Sequence, residues 1–254
     1  MLREMIVTDV TRMRSPAVCL AGFFSDDGSP VRPVMPYQAG KRLTEDFLWA
    51  HEDLIVQPFA EVRLDFSAPV SDPPHTEDWE IDARACPELV RVLSPQERWQ
   101  FLRAHLDPSV QAIFGAPVQD SRYVCKGQGE RSLGTILARE VYKLAYRHRE
   151  YDDGEVKWDF RIWFMDESGA DFGLAITDLT FRDGCDHLRD RKGWEPDRVS
   201  EWLTRFLSSD QRDVYLRIGL ARGWEKYPDR CYLQVTGVYS FPDYLGGKTL
   251  ADFR

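Results

Sequence analysis

Along most of the chain apolar and polar residues alternate with period two, the spacing that turns one face of a strand into a core and the other away from it. Seven runs carry the pattern: Ala17 to Phe24, Ile55 to Phe66, Thr135 to Arg147, Lys157 to Asp166, Asp171 to Thr177, Val214 to Arg222 and Cys231 to Phe241. Turn signals such as Asp152-Asp153-Gly154 and Glu167-Ser168-Gly169 separate them. Two segments switch to helical spacing. Ser94-Pro95-Gln96-Glu97 is a capping box with proline at the first helical position, followed by the apolar stripe Trp99, Leu102 and Leu106, and predicts a helix ending near His105 to Asp107. From Pro196, the residues Val199, Trp202, Leu203, Phe206 and Leu207 recur at i, i+3, i+4, i+7 and i+8, one buried helix face.

Several strands and one good helix in each half predict a mainly β protein with a few helices (α+β). The expected form is two tandem OB-like Greek-key barrels, each closed at one end by a helix. A break at Tyr151 to Glu155 gives a first domain over 1–152 and a second over 153–254. The stretch Asp65 to Asp82 holds six acids, no Lys or Arg, and Pro69, Pro73 and Pro74, and reads as a solvated loop.

The strand alternation also sorts side chains. With Trp158, Phe160, Ile162 and Phe164 inward, Lys157, Asp159, Arg161 and Trp163 face out; with Val214, Leu216, Ile218 and Leu220 inward, Tyr215 and Arg217 face out. Tyr232 and Gln234 lie outward on the last strand, while Asp171 to Thr177 shows only Gly173, Ala175 and Thr177. The composite of Arg161, Trp163, Tyr215, Arg217, Tyr232 and Gln234 is expected to be a stacking platform. Flat rings take bases, cations take phosphates, and small residues let a backbone approach. The competing expectation is that these rings are packed between the two barrels.

Charge supports a local site only. The 254 residues carry a formal net charge of −9, which argues against coating nucleic acid by bulk electrostatics. The window from Arg122 to Arg149 nevertheless holds seven Lys or Arg against two Glu, a net of +5. Within it Arg139, Lys143 and Arg147 are expected on one side of a strand, able to track a phosphate backbone or simply to form a solvated face that resists edge pairing. Five scattered cysteines with no C-x-x-C pair fit a reducing compartment, and the interrupted N-terminus and short apolar runs predict a cytoplasmic protein with no membrane partner.

No pattern for a cofactor is present: the glycine turns at Ser132-Leu133-Gly134 and Leu245-Gly246-Gly247-Lys248 are not a phosphate-binding loop, and the five histidines are dispersed. Asp178, Asp183, Asp186 and His187 could serve a metal-dependent nuclease only by converging, at a spacing that matches no established ligand pattern; the run reads as a loop entering the second helix.

Two passages resemble a known family. Thr11-Arg12-Met13, then Val18-Cys19-Leu20-Ala21-Gly22 and Val31-Arg32-Pro33-Val34, are similar to the opening of the dual OB-fold domain family, with Val31 where an aromatic is typical. Ala175-Ile176-Thr177-Asp178, Tyr215 to Arg222 and Tyr232 to Tyr239 resemble its second barrel. The resemblance implies a prokaryotic protein of tandem OB-folds that binds nucleic acid, often in defence or mobile-element systems, with no catalytic residue. It marks Arg32, Asp178, Arg217, Arg222 and Gln234 as pattern positions. The expected function is therefore non-catalytic binding of single-stranded DNA or RNA, the alternative being a subunit that binds a protein partner.

Overall fold

The computed structural model describes residues 1–36, 42–82, 84, 86–150 and 156–253. Strand β1 (Leu2–Arg12) pairs antiparallel with β2 (Val18–Phe24), which pairs with β3 (Pro30–Val34). A two-residue hairpin, β4 (Trp49–Ala50) and β5 (Asp53–Leu54), precedes β6 (Ala60–Pro69), β7 (Asp78–Ile81) and β8 (Glu88–Val92). The ring closes in the order β1-β2-β3-β7-β6-β1, with β3 and β7 parallel, and β8 extends the sheet on β6. Met5, Val7, Leu20, Phe24, Val62, Leu64 and Phe66 fill it. Gly22 is required where β1 and β2 meet, since a Cβ there would sit 2.0 Å from the Ile6 carbonyl oxygen.

Helices α1 (Pro95–Ala104) and α2 (Val110–Ile113) lead to β9 (Tyr123–Cys125), β10 (Leu133–Glu150), β11 (Val156–Asp166) and β12 (Asp171–Ile176). Helices α3 (Leu179–Asp190) and α4 (Pro196–Leu207) then precede β13 (Asp213–Leu220) and β14 (Arg230–Phe241). The second ring, β10-β11-β12-β14-β13-β10, repeats the first order, with β12 and β14 as its parallel pair and β9 added to β14. Both closed five-stranded barrels thus have the Greek-key order of an OB-fold, as the alternation predicts.

The helices form where their signals lie. Ser94 caps α1 with both capping-box bonds, and Val199, Leu203 and Leu207 are the buried stripe of α4. Helix α4 also completes β10, because Thr204 Oγ1 and Ser200 Oγ each accept a backbone N–H, from Leu144 and Tyr146, at 2.9 Å. Among the described residues, α-helices stand between the third and fourth strands of the second barrel, where the first barrel has a single 3-10 turn, Glu45–Leu48. Helix α1 lies after the first barrel, in the seam between the two, where Leu102 packs with Phe59, Leu93 and Tyr215.

Three expectations change. The break expected at Tyr151 to Glu155 lies outside the described residues, but β10 and β11 on either side of it are paired neighbours in one sheet. Strand pairing therefore divides the chain between β8 and β9, not at 152, because a hairpin cannot be split between two barrels. The segment read as a loop through Asp183 and His187 is α3, its N-terminus capped by Asp178. The acidic stretch expected to be solvated ends in β7, with Glu77 and Asp78 buried at 3% and 2% exposure.

Candidate nucleic-acid interface

Strand register lays out the outer face of the second barrel in rows. Lys143, Trp163 and Gly173 stand side by side across β10, β11 and β12; Ala145, Arg161, Ala175 and Gln234 form the next row, and Arg147 faces Asp159 beyond it. Docking of the first barrel cuts this face in two.

The covered part is a buried polar lock. Arg217, fully buried, donates from Nε to Asp9 Oδ2 at 3.0 Å and from Nη1 to Thr135 Oγ1 at 2.8 Å. Thr236 donates to the other Asp9 oxygen, and Tyr239 donates to the Thr8 carbonyl at 2.5 Å. A bulge in β1 between Val7 and Asp9 shifts the strand's phase, so that Asp9 turns out of its own barrel and into the other. Asp178 caps α3 by accepting from Phe181 N at 3.1 Å and also accepts from Val238 N at 2.9 Å, next to the bridge between Thr11 and Asp178 that ties β1 to the second barrel. Burial pushes its carboxyl up to about 7, against the opposing pull of those backbone N–H groups.

A second lock joins the barrels below. Arg32 donates to Asp78 at 2.6 Å and lies 3.2 Å from Glu77; Arg222 pairs with the other oxygen of Asp78, and Ser132 donates to Glu77. His75, buried beside them, is held neutral with its pKa lowered to about 2, by burial first and then by the charges of Arg32, Arg222 and Lys126.

These contacts correct the platform. Tyr215, 1% exposed, and Arg217 point out of their own barrel yet lie in the inter-barrel seam, so neither reaches a ligand. Arg32 is buried, and Arg222, though half-exposed, is tied to Asp78. The family-pattern positions Arg32, Asp178, Arg217 and Arg222 thus hold the barrels together, while Gln234 lies on the open part.

That open part gathers Arg161, Trp163, Gln234 and Tyr232, all partly exposed, with the exposed Lys143 and Arg147. Over β10, β11 and β12 a cleft of about 640 Å³ is lined by Arg122, Tyr142, Arg147, Arg161, Trp163 and Gly173, among others. Gly173 lets the Trp163 indole lie across β12, since a Cβ there would come within 2.7 Å of Nε1. Arg161 donates to the Gly173 carbonyl at 2.8 Å, and the Lys143 ammonium lies 5.6 Å from the Trp163 ring centroid. The cationic row expected along β10 is interrupted by bulges on either side of Val141, which turn Val141 into the core. They leave Arg139 exposed but out of register with Lys143 and Arg147.

Several residues of this face escaped the sequence reading. Arg122 and Tyr142 line the cleft, and beyond it Tyr123, Tyr227 and Tyr232 surround Arg230, whose guanidinium is 4.8 Å and 4.6 Å from the Tyr123 and Tyr227 centroids. Trp224, 59% exposed, stands at the outer end of this group, in the loop between β13 and β14. The signal was present as the interleaved Trp224-Glu225-Lys226-Tyr227 with Arg230.

The carboxylates that a nuclease would need have separate partners: Asp178 caps α3, Asp183 pairs with Arg12, and Asp186 pairs with Arg189 and Tyr146. Among the described residues no three His, Cys, Asp or Glu side chains group as metal ligands, and no helix is long and apolar enough to cross a membrane.

The model of the dual OB-containing domain family matches residues 4–238. No curated protein matches the chain. A solved structure of a murine DNA-binding protein bound with double-stranded DNA aligns over 94% of this chain and 97% of that one, at 7% identity and a TM-score of 0.31, a likeness too slight to carry an argument.

Proposed function

The chain belongs to the dual OB-containing domain family, and from that premise we propose that it binds single-stranded nucleic acid, DNA or RNA, on the open strand face of its second barrel. OB-folds use this face, with the loops that flank it, for oligonucleotides and oligosaccharides. The observation that carries the reading is the convergence of Arg122, Arg147, Arg161 and the Trp163 ring on one cleft, in a protein whose net charge is −9. The cations are concentrated where a ring can stack, which is the composition a single strand requires. The aromatic loop around Trp224 and Tyr227 extends the same face. A duplex keeps its bases stacked on each other and offers no free ring to Trp163.

Fluorescence anisotropy with labelled single strands and duplexes of the same sequence tests the proposal. Salt-sensitive binding of the single strand, weakened by W163A in a protein that remains folded, is expected. Equal or better binding of duplex, or no binding of either polymer at low salt, would sink it.

A second reading, a subunit that binds a protein partner, is favoured by β8. This strand extends β6 at the edge of its sheet, and Leu89, Val90 and Val92 are each about 40% exposed on it. Recovery of one stoichiometric protein partner, insensitive to nuclease and abolished by V90K, would support it.

A further inference from the structure

The cleft holds carboxylates among its cations: Asp120 and Asp171 line it together with Arg122, Arg147 and Arg161. A carboxylate repels a phosphate, so an acid on a surface that takes up single strands needs another role. Asp171 is the one beside the ring. It lies on β12 two residues before Gly173 and on the same outward face, about 6.6 Å along the strand. The Trp163 indole lies across β12 at Gly173, where a Cβ would come within 2.7 Å of Nε1. A base stacked on that indole therefore brings its edge toward the Asp171 carboxylate.

The carboxylate is also held in place. Strand β10 bulges between Val141 and Lys143, which leaves Tyr142 as an extra residue, 39% exposed, on the approach to Trp163. Its hydroxyl reaches from β10 over β11 to β12 and donates to Asp171 Oδ1 at 2.9 Å. A carboxylate offers about four acceptor sites, so this bond orients the group and leaves others to a ligand. Asp171 is exposed and open to one.

An ionised carboxylate only accepts, so it selects a base by the donors on its edge. In a single strand the Watson–Crick edge is free to be read. Guanine presents two neighbouring donors there, N1–H and the N2 amine, which match the two oxygens of a carboxylate. Adenine and cytosine set an acceptor nitrogen beside their one amine. Thymine and uracil flank a single N–H with two carbonyls. Each of these turns a lone pair toward Asp171.

We infer that the cleft reads guanine: the base stacks on Trp163 and donates from N1 and N2 to Asp171, with Tyr142 as the positioning residue that aims the carboxylate. Arg122, Arg147 and Arg161 take the neighbouring phosphates. This rests on the nucleic-acid reading of the same face and adds a base preference.

The test uses the full chain and short thymidine strands, with a uridine series alongside. One central base is replaced by guanine, hypoxanthine, adenine or cytosine, and each strand competes against a labelled parent strand in fluorescence anisotropy. The guanine strand is expected to compete about tenfold better than the unsubstituted one, the discrimination given by one bidentate pair. Hypoxanthine keeps N1–H but lacks the N2 amine, and should lose much of that advantage. D171N should bring the ratio toward one, because the amide puts a donor where guanine needs an acceptor, and Y142F should bring it part of the way. Equal competition by guanine and hypoxanthine, a ratio untouched by D171N, or a ratio lost in D120N but not in D171N overturns the guanine seat. Binding of the unsubstituted strand then leaves the single-strand reading standing. Absence of binding by every strand instead overturns the nucleic-acid reading on which the seat depends.

Discussion

Replacing Arg217 by alanine should unfold this protein before it affects any ligand. The guanidinium is fully buried, and it makes two contacts to Asp9 Oδ2, at 3.0 Å and 2.9 Å, and one to Thr135 Oγ1 at 2.8 Å. Its removal leaves Asp9, 2% exposed, with hydroxyl donors from Thr8 and Thr236 but no counter-charge. Breaking one side of such a buried pair costs about 3–5 kcal/mol. A domain is stable by only about 5–15 kcal/mol, so R217A should unfold at far lower urea than the parent. Removing the charge on both sides, as in R217M/D9L, should recover much of that loss, because no uncompensated charge then remains. Urea unfolding followed by tryptophan fluorescence gives the free energies, and anisotropy measured where R217A is still folded gives its affinity. Affinity should then match the parent. A loss below about 1 kcal/mol, the size of an exposed pair, would refute the assignment of Arg217 to a buried lock. So would weakened binding by a fully folded R217A.

The open face should behave in the opposite way. W163A should lower single-strand affinity by about 1–3 kcal/mol, the contribution of one stacked base, with little change in the urea midpoint. R147A should reduce the salt dependence of single-strand binding by about 0.7 in the slope of log K against log salt, the share of one phosphate contact, as read from a salt titration. For Asp178, burial raises the folded pKa from 3.8 to about 7, so between those values the folded state holds a proton that the unfolded state has lost. Stability from this group is greatest at low pH and falls as pH rises from about 4 to about 7. Urea unfolding at both ends of that window should show a larger loss for the parent than for D178N; equal losses would show that Asp178 does not titrate there.

What the chain determines locally is extensive. Period-two alternation is a property of each strand's own residues, so β10 to β14, the inward set Phe160, Ile162 and Phe164, and the stripe of α4 can be read directly. Capping at Ser94 is equally local. Alternation is lost where a bulge inserts a residue, which hid β1 around Asp9 and misplaced Arg139 relative to Lys143 and Arg147. Helix α3 was hidden because its polar residues Arg182, Asp183, Asp186 and Arg189 suggest a loop until Asp178 is seen to cap it.

The division of the outer face belongs to tertiary structure alone. Alternation assigns Tyr215, Arg217, Arg161 and Trp163 equally to the outside of the second barrel, since it reports only which side of a sheet a residue takes. Whether that side meets water or another barrel depends on Asp9, which lies 208 positions from Arg217 and is aimed by a bulge in a different sheet. Docking of the first barrel took Tyr215 and Arg217 out of the expected platform and into the seam, and left Arg161, Trp163, Tyr232 and Gln234 on the free side. No spacing along the chain encodes that separation, because burial of an outward face is a property of two surfaces that meet.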